Sequence, residues 1–190
     1  MHVLAPDAIA PAITVEDFLR RVPYMEADAD SRAAIEAYLV AATVLVEGAT
    51  NRPVGRRAVE FDVSGPRSTY RGVRRWWFPL APVVEVTEVE VRHAAGTTVL
   101  DAGHWGLVRG QTEPCLELRQ ERHLDSLRVS ATVGAEVDRQ QAPVIQAIVL
   151  LAKQWFDAGV AIGEIPKAQL SFGVTALIRQ ARYRRPREFA

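Results

Sequence analysis

Two long helical patterns frame residues 55–133, a stretch that lacks helical periodicity, and this constrains the fold more than any other feature. In the first pattern Ile35, Leu39, Ala42 and Val46 step by four, three and four, and Tyr38, Ala41 and Leu45 widen the stripe. In the second, Ile145, Ile148, Val149, Ala152, Trp155 and Phe156 share a face, and Pro143 suits the first helical turn. Between them lie short valine-rich runs separated by Gly and Pro: Ala58–Val63, Trp76–Leu80, Val83–His93, Trp105–Val108, Cys115–Leu118 and Leu127–Val133. These read as strands, antiparallel because no crossover helix separates them. Ala94-Ala95-Gly96-Thr97 reads as a hairpin turn. In the longest run, Val84 and Val86 share one parity and Val89 and Val91 the other, which predicts a bulge near Thr87.

The ends complete the plan. Residues 1–13 read as an extended arm. Thr14 caps a short helix over Val15–Arg21, and Asp30 or Ser31 caps the long helix that ends at Thr50–Asn51. Gly159 and Gly163 end the second long helix and open a loop to Gly173. A last helix is expected over Val174–Tyr183, packing through Ala176, Leu177 and Ala181 and stopped by Pro186. The expected fold is α+β. Its helical core has two long and two shorter helices, with an antiparallel β subdomain inserted between the long ones and an extended C-terminal tail. One domain, 1–190, divides into N-terminal helices (1–53), β insertion (54–140), C-terminal helices (141–178) and basic tail (179–190). Removing the tail from 179 onward is expected to leave the core folded.

Charge narrows the function. The chain has 23 basic and 23 acidic residues. A general nucleic-acid binder needs a basic excess to displace counterions. The balance is uneven along the chain: residues 1–50 carry eight acids against three bases, and residues 179–190 carry five arginines against Glu188. Both ends could be solvated faces, or could meet complementary surfaces on other subunits or partners. Cys115 is the only cysteine, so no intrachain disulfide forms and a thiolate metal site needs shared chains. No uncharged apolar run approaches the ~20 residues of a bilayer span, and residues 1–12 lack the basic start of a signal peptide.

The familiar catalytic constellations are absent or weak. His2, His93, His104 and His123 lie far apart without metal-ligand spacing. His104 beside Trp105 could act as ligand or base, but reads better as a surface or stacking residue. Gly103, Gly106 and Gly110 bracket a strand rather than opening a phosphate-binding helix. Glu85, Glu88 and Glu90 alternate with valines, as on a solvent-facing strand surface. Cys115 reads as a small buried hydrophobe rather than a nucleophile. Arg71, Arg74 and Arg75 precede Trp76-Trp77-Phe78, the one aromatic–basic cluster. It could stack on bases, or seal the β subdomain or a subunit contact. The arginine tail suits protein interfaces and phosphate equally. No catalytic residues, metal ligands or cofactor site are assigned.

Five stretches, taken in order, resemble the head–tail connector (adaptor) proteins of tailed bacteriophages and gene transfer agents. They are Thr14-Val-Glu-Asp-Phe-Leu-Arg20; residues 35–53, whose helix ends in a Glu–Thr–x–Arg pattern; Phe78–Val91, leading into His-Ala-Ala-Gly; Ala142–Phe156; and Phe172–Ile178, followed by arginines. Together they span about residues 13–185. The chain departs from the family pattern at Asp157-Ala-Gly159, where a more polar helix end with Glu and Arg is expected.

The resemblance implies a structural role without catalysis or cofactor, in the neck of a virion or virus-like particle assembled in the bacterial cytoplasm. Such subunits form a homo-oligomeric ring, usually of twelve copies, beneath the portal protein. The ring extends the DNA channel, through which DNA passes without specific binding, and docks the next neck or tail protein, a stopper or terminator. No membrane is involved. Mapped onto this chain, the C-terminal segment becomes the portal-binding set: Arg179, Arg182, Tyr183, Arg184, Arg185 and Arg187. The alternative is a nucleic-acid-binding module using the Arg/Trp cluster or the arginine tail. An enzyme with a dispersed site is a third reading, which needs a deep pocket around His104 or a carboxylate pair.

Overall fold

The computed structural model describes residues 2–3, 10–22, 25, 27–64, 68–70, 73–93, 96–119, 126–134, 141–160 and 170–186. The chain divides into two compact units. A helical unit comprises Ile9–Gly55 and Glu136–Arg182, and a β unit comprises Met1–Ala8, Arg56–Ala135 and Tyr183–Ala190. The fold is α+β, with four helices and two antiparallel sheets among the described residues.

In the helical unit, α1 (Val15–Arg21) starts at Thr14, whose hydroxyl accepts the Asp17 N–H at 3.1 Å. The long helix α2 (Ala29–Thr50) is capped by Asp28, not by Asp30 or Ser31: the Asp28 carboxylate accepts the Ser31 N–H at 2.8 Å. Those hydrogen bonds from Ser31 hold the Asp28 carboxyl below the usual aspartate range. Ile35, Leu39, Ala42 and Val46 are all fully buried, together with Val144, Ile145, Ile148 and Leu151 of α3 (Ala142–Asp157). Each of the Val, Leu and Ile side chains contributes about 1.5–3 kcal/mol by leaving water. One window of α2 matches a bilayer-spanning helix in length and apolarity, but its main stripe is core.

The Asp157-Ala-Gly159 departure has a local explanation. Gly159 takes a positive φ of 59°, its N–H reaches Phe156 O at 3.1 Å, and Val160 N–H reaches Trp155 O at 3.2 Å. This is a Schellman stop, which needs glycine more than it needs charge. The Tyr38 hydroxyl then donates to the Val160 carbonyl. The last helix, α4, spans Phe172–Ala181, capped by Ser171, and buries Val174, Ile178 and Ala181. It starts two residues earlier and ends two earlier than expected, and Ala176 faces solvent.

In the β unit, β1 (His2–Val3), β2 (Arg57–Ser64), β9 (Ser126–Val133), β5 (Val83–His93) and β6 (Gly96–Val99) form one sheet in that spatial order. β3 (Ser68–Tyr70), β4 (Val73–Trp77), β8 (Cys115–Leu118) and β7 (Trp105–Val108) form the second. The sequence reading missed β1, β3 and β6, and β4 begins and ends earlier than the run it assigned. Gly96 and Thr97, read as turn, belong to β6, while residues 94–95 lie outside the described set.

β9 alternates strictly, burying Leu127, Val129, Ala131 and Val133. β5 follows it with Val83, Val86, Val89 and Val91, steps of three, three and two. Register shifts between Val83 and Glu85 and between Val86 and Glu88 make this possible. The expected bulge at Thr87 is present, and a second lies at Val84. Each inserts one residue and returns the next valine to the core. Gly110 accepts the Val83 N–H at 2.8 Å, and a Cβ there would meet Val83 O at 2.3 Å, so this glycine serves backbone packing.

Candidate functional site

The expected docking segment begins on α4. Arg179 is exposed on the helix, and Arg182, the extended C-cap residue, is also exposed. The helix end itself is held by Arg52, whose Nε–H donates to the Ala181 carbonyl at 2.6 Å. A charged donor on an orphan C-terminal carbonyl satisfies both the hydrogen bond and the helix dipole. Arg52 is positioned by the end of α2. There the Thr50 hydroxyl donates to Val46 O at 2.7 Å, Asn51 turns the chain in the left-handed region at φ 56°, and the buried Glu47 carboxylate accepts the Val54 N–H. Gln141 at the start of α3 donates to Pro53 O at 3.4 Å. Glu47, Thr50 and Arg52, the residues of the helix-end pattern in Glu47-Gly-Ala-Thr-Asn-Arg52, therefore form a junction that orders the helix ends.

From Tyr183 onward the segment belongs to the β unit. Tyr183 is buried, and its hydroxyl donates to the Phe78 carbonyl at 3.2 Å. Phe78, Trp76 and Phe61 form an edge-to-face cluster with centroids 4.6–5.7 Å apart. The Arg185 guanidinium stands 5.7 Å from the Trp76 ring centroid, a cation–π contact, and Arg184 is exposed. Two features that looked separate in the sequence, the aromatic–basic cluster and the arginine tail, thus meet in one unit. Arg187 and Arg71 lie outside the described residues. Among the tail residues described, Arg179, Arg182, Arg184 and Arg185 are outward and Tyr183 is inward.

This placement bears on the alternative readings. Trp76 is 7% exposed, so its ring offers little face to a base. On the other face of β4, Arg75 pairs with Glu117 at 2.6 Å. Arg75, Trp77, Val108, Arg109, Cys115 and Glu117 line a cavity of about 230 Å³. Its one carboxylate is already ion-paired, and Cys115 is 1% exposed, as a packed hydrophobe should be. His104 sits half-buried in a one-turn helix (Ala102–His104) and does not line this cavity. His123 lies outside the described residues. Among the described residues no three His, Cys, Asp or Glu side chains gather as a metal site. Glu85 and Glu88 are exposed, and Glu90 is half-exposed, as the alternation with valines predicted.

No protein-family model matches the chain. No curated protein matches it either. Solved structures do. A chain from the neck of an empty gene transfer agent particle, computed with C6 symmetry, superposes with a TM-score of 0.68 at 27% identity, covering 94% of each chain. A chain from the virion of a native gene transfer agent particle gives 0.66 at 27% identity over 92% of this chain and 91% of that one. A third, from the neck of a native particle computed with C12 symmetry, gives 0.64 at 27% identity over 98% and 96%. The head–tail connector resemblance read from the sequence is borne out by this likeness, which runs through both units.

Proposed function

We propose that the chain is a structural subunit of a particle neck, one of about a dozen copies in a ring beneath the portal. It extends the DNA channel there and docks the next neck or tail protein. The observation that carries this reading is the end-to-end likeness to chains of gene transfer agent necks, over 94% of both chains in one case. The C12 symmetry of another of those necks supports a cyclic homo-oligomer. The role asks for no chemistry: the subunit binds protein and lets DNA pass. A net charge of zero suits a channel wall that must not hold DNA.

Portal docking falls to the arginines past the last helix: Arg182, Arg184 and Arg185, which are exposed, and Arg187, which follows them in sequence. Tyr183, buried between them in sequence, acts as their anchor. Arg179, also expected in the portal set, is exposed on α4 a turn before them. The reading is tested by quantitative mass spectrometry of purified particles from the same gene cluster. About twelve copies per particle are expected, and absence of the chain from intact particles overturns it.

A further inference from the structure

α2 has a second apolar side. Besides the buried stripe, Ala33, Val44 and Gly48 are exposed and Ala37 and Val40 half-buried, so the outward face is also largely without charge. Val44 is 49% exposed. A helix apolar all round is normally buried all round. Gly48 sharpens the point. It lies inside the helix, where glycine costs about 1 kcal/mol relative to alanine, yet a Cβ there would meet nothing within 4 Å among the described residues. Nothing among the described residues accounts for a glycine at this position, whereas close approach by another molecule does.

The same unit carries the opposite shape. Phe172, on the first turn of α4, is 88% exposed, the most exposed large apolar side chain among the described residues. Phe172, Ala176 and Arg179 recur at helical spacing along one exposed stripe. On α2 the matching stripe reads Gly48, Val44, Val40 and Glu36. Phe172 and Arg179 are about 10.5 Å apart along their axis, and Val44 and Glu36 about 12 Å, at 1.5 Å per residue. An antiparallel docking that seats Phe172 at Val44 and Gly48 therefore brings Arg179 to Glu36. Both are exposed, and neither makes an ion pair among the described residues.

We infer that the outward face of α2 is the lateral contact of the ring, and that its occupant is the α4 stripe of the next copy. The inference presupposes a ring of identical chains. A head-to-tail ring needs two different, complementary patches on every subunit, and one helical unit supplies both. Apolar contact at Phe172 gives adhesion, and the Glu36–Arg179 pair sets register.

The test uses the full chain assembled with its portal partner. In a Val44→Cys/Phe172→Cys variant, a short bis-maleimide should produce a ladder of covalent multimers, and neither single variant should. Glu36→Arg and Arg179→Glu should each cut incorporation about tenfold, and the double exchange should restore it to within about twofold. Both charge positions are exposed, so the variants should keep the wild-type Tm. Two results overturn the inference: a cysteine pair that enters the ring without cross-linking, or charge exchanges that fail to rescue each other. If wild-type chains form no multimer in the assembly when sized by analytical ultracentrifugation, the ring reading has failed and takes the inference with it. That wild-type measurement, made without cross-linker, separates the two failures.

Discussion

Arg52 donates its Nε–H to the carbonyl of Ala181 at 2.6 Å, joining positions 129 residues apart in sequence. The bond fixes where α4 stops and where the arginine segment starts. Arg52→Ala should lower the stability of the helical unit by about 1.5–3 kcal/mol, the range for a hydrogen bond to a charged group. Urea titration followed by far-UV circular dichroism checks this. An unchanged midpoint would mean that water replaces the guanidinium without loss.

Tyr183 makes the tail part of the fold. Tyr183→Phe should cost about 1 kcal/mol through the lost bond to Phe78 O. Tyr183→Ala should cost about 3–5 kcal/mol through the cavity. A chain ending at Ile178 loses the buried Ala181 and Tyr183 side chains as well as the arginines, so the clean removal expected from sequence does not hold. Equilibrium denaturation of the three variants should rank them in that order.

The Thr87 bulge sets the phase of β5. Its side chain adds little beyond a hydroxyl bond to Ser130 O at 3.1 Å, so Thr87→Ala should be mild, within about 1 kcal/mol. Deleting the residue shifts either Val83 and Val86 or Val89 and Val91 out of the core. The deletion variant should lose its cooperative unfolding transition, measured by tryptophan fluorescence. A cooperative deletion variant would contradict the register.

Acid should weaken the start of α2. Asp28 is held below its ordinary pKa by the Ser31 hydrogen bonds, so its folded value lies below its unfolded value near 3.8. Its contribution is then fully present above the unfolded value and is lost as pH falls through the folded one. Asp28→Asn, which keeps a capping oxygen, should flatten that part of the stability–pH curve below about pH 4. An identical acid limb in both proteins would argue against the cap.

Much of this was legible in the sequence because periodicity reports burial. The stripes at Ile35–Val46 and Ile145–Trp155 became the helical core, and opposed valine parities located a bulge. Short edge strands such as β3 and β6 escaped because three or four residues carry no readable period. The anchoring of Tyr183 escaped for a different reason. A tyrosine among five arginines looks like surface, and its partner Phe78 is 105 residues away. The role of Arg52 was hinted only by the helix-end pattern of Glu47, Thr50 and Arg52, whose bonds to Val54 and Ala181 appear when the helix ends meet. The exposed face of α2 gave no warning, since an all-round apolar helix reads as core.

The central claim is that this chain docks a portal through its outward C-terminal arginines. The most direct test is co-sedimentation of the full-length protein with the portal protein of the same gene cluster. Wild type is compared with a variant in which Arg182, Arg184, Arg185 and Arg187 are serine and Tyr183 is kept. The variant should keep the wild-type stability within about 1 kcal/mol, since Arg182, Arg184 and Arg185 are exposed. The account predicts that wild type sediments with the portal and the folded variant does not. Equal sedimentation of both, or of neither, would contradict it.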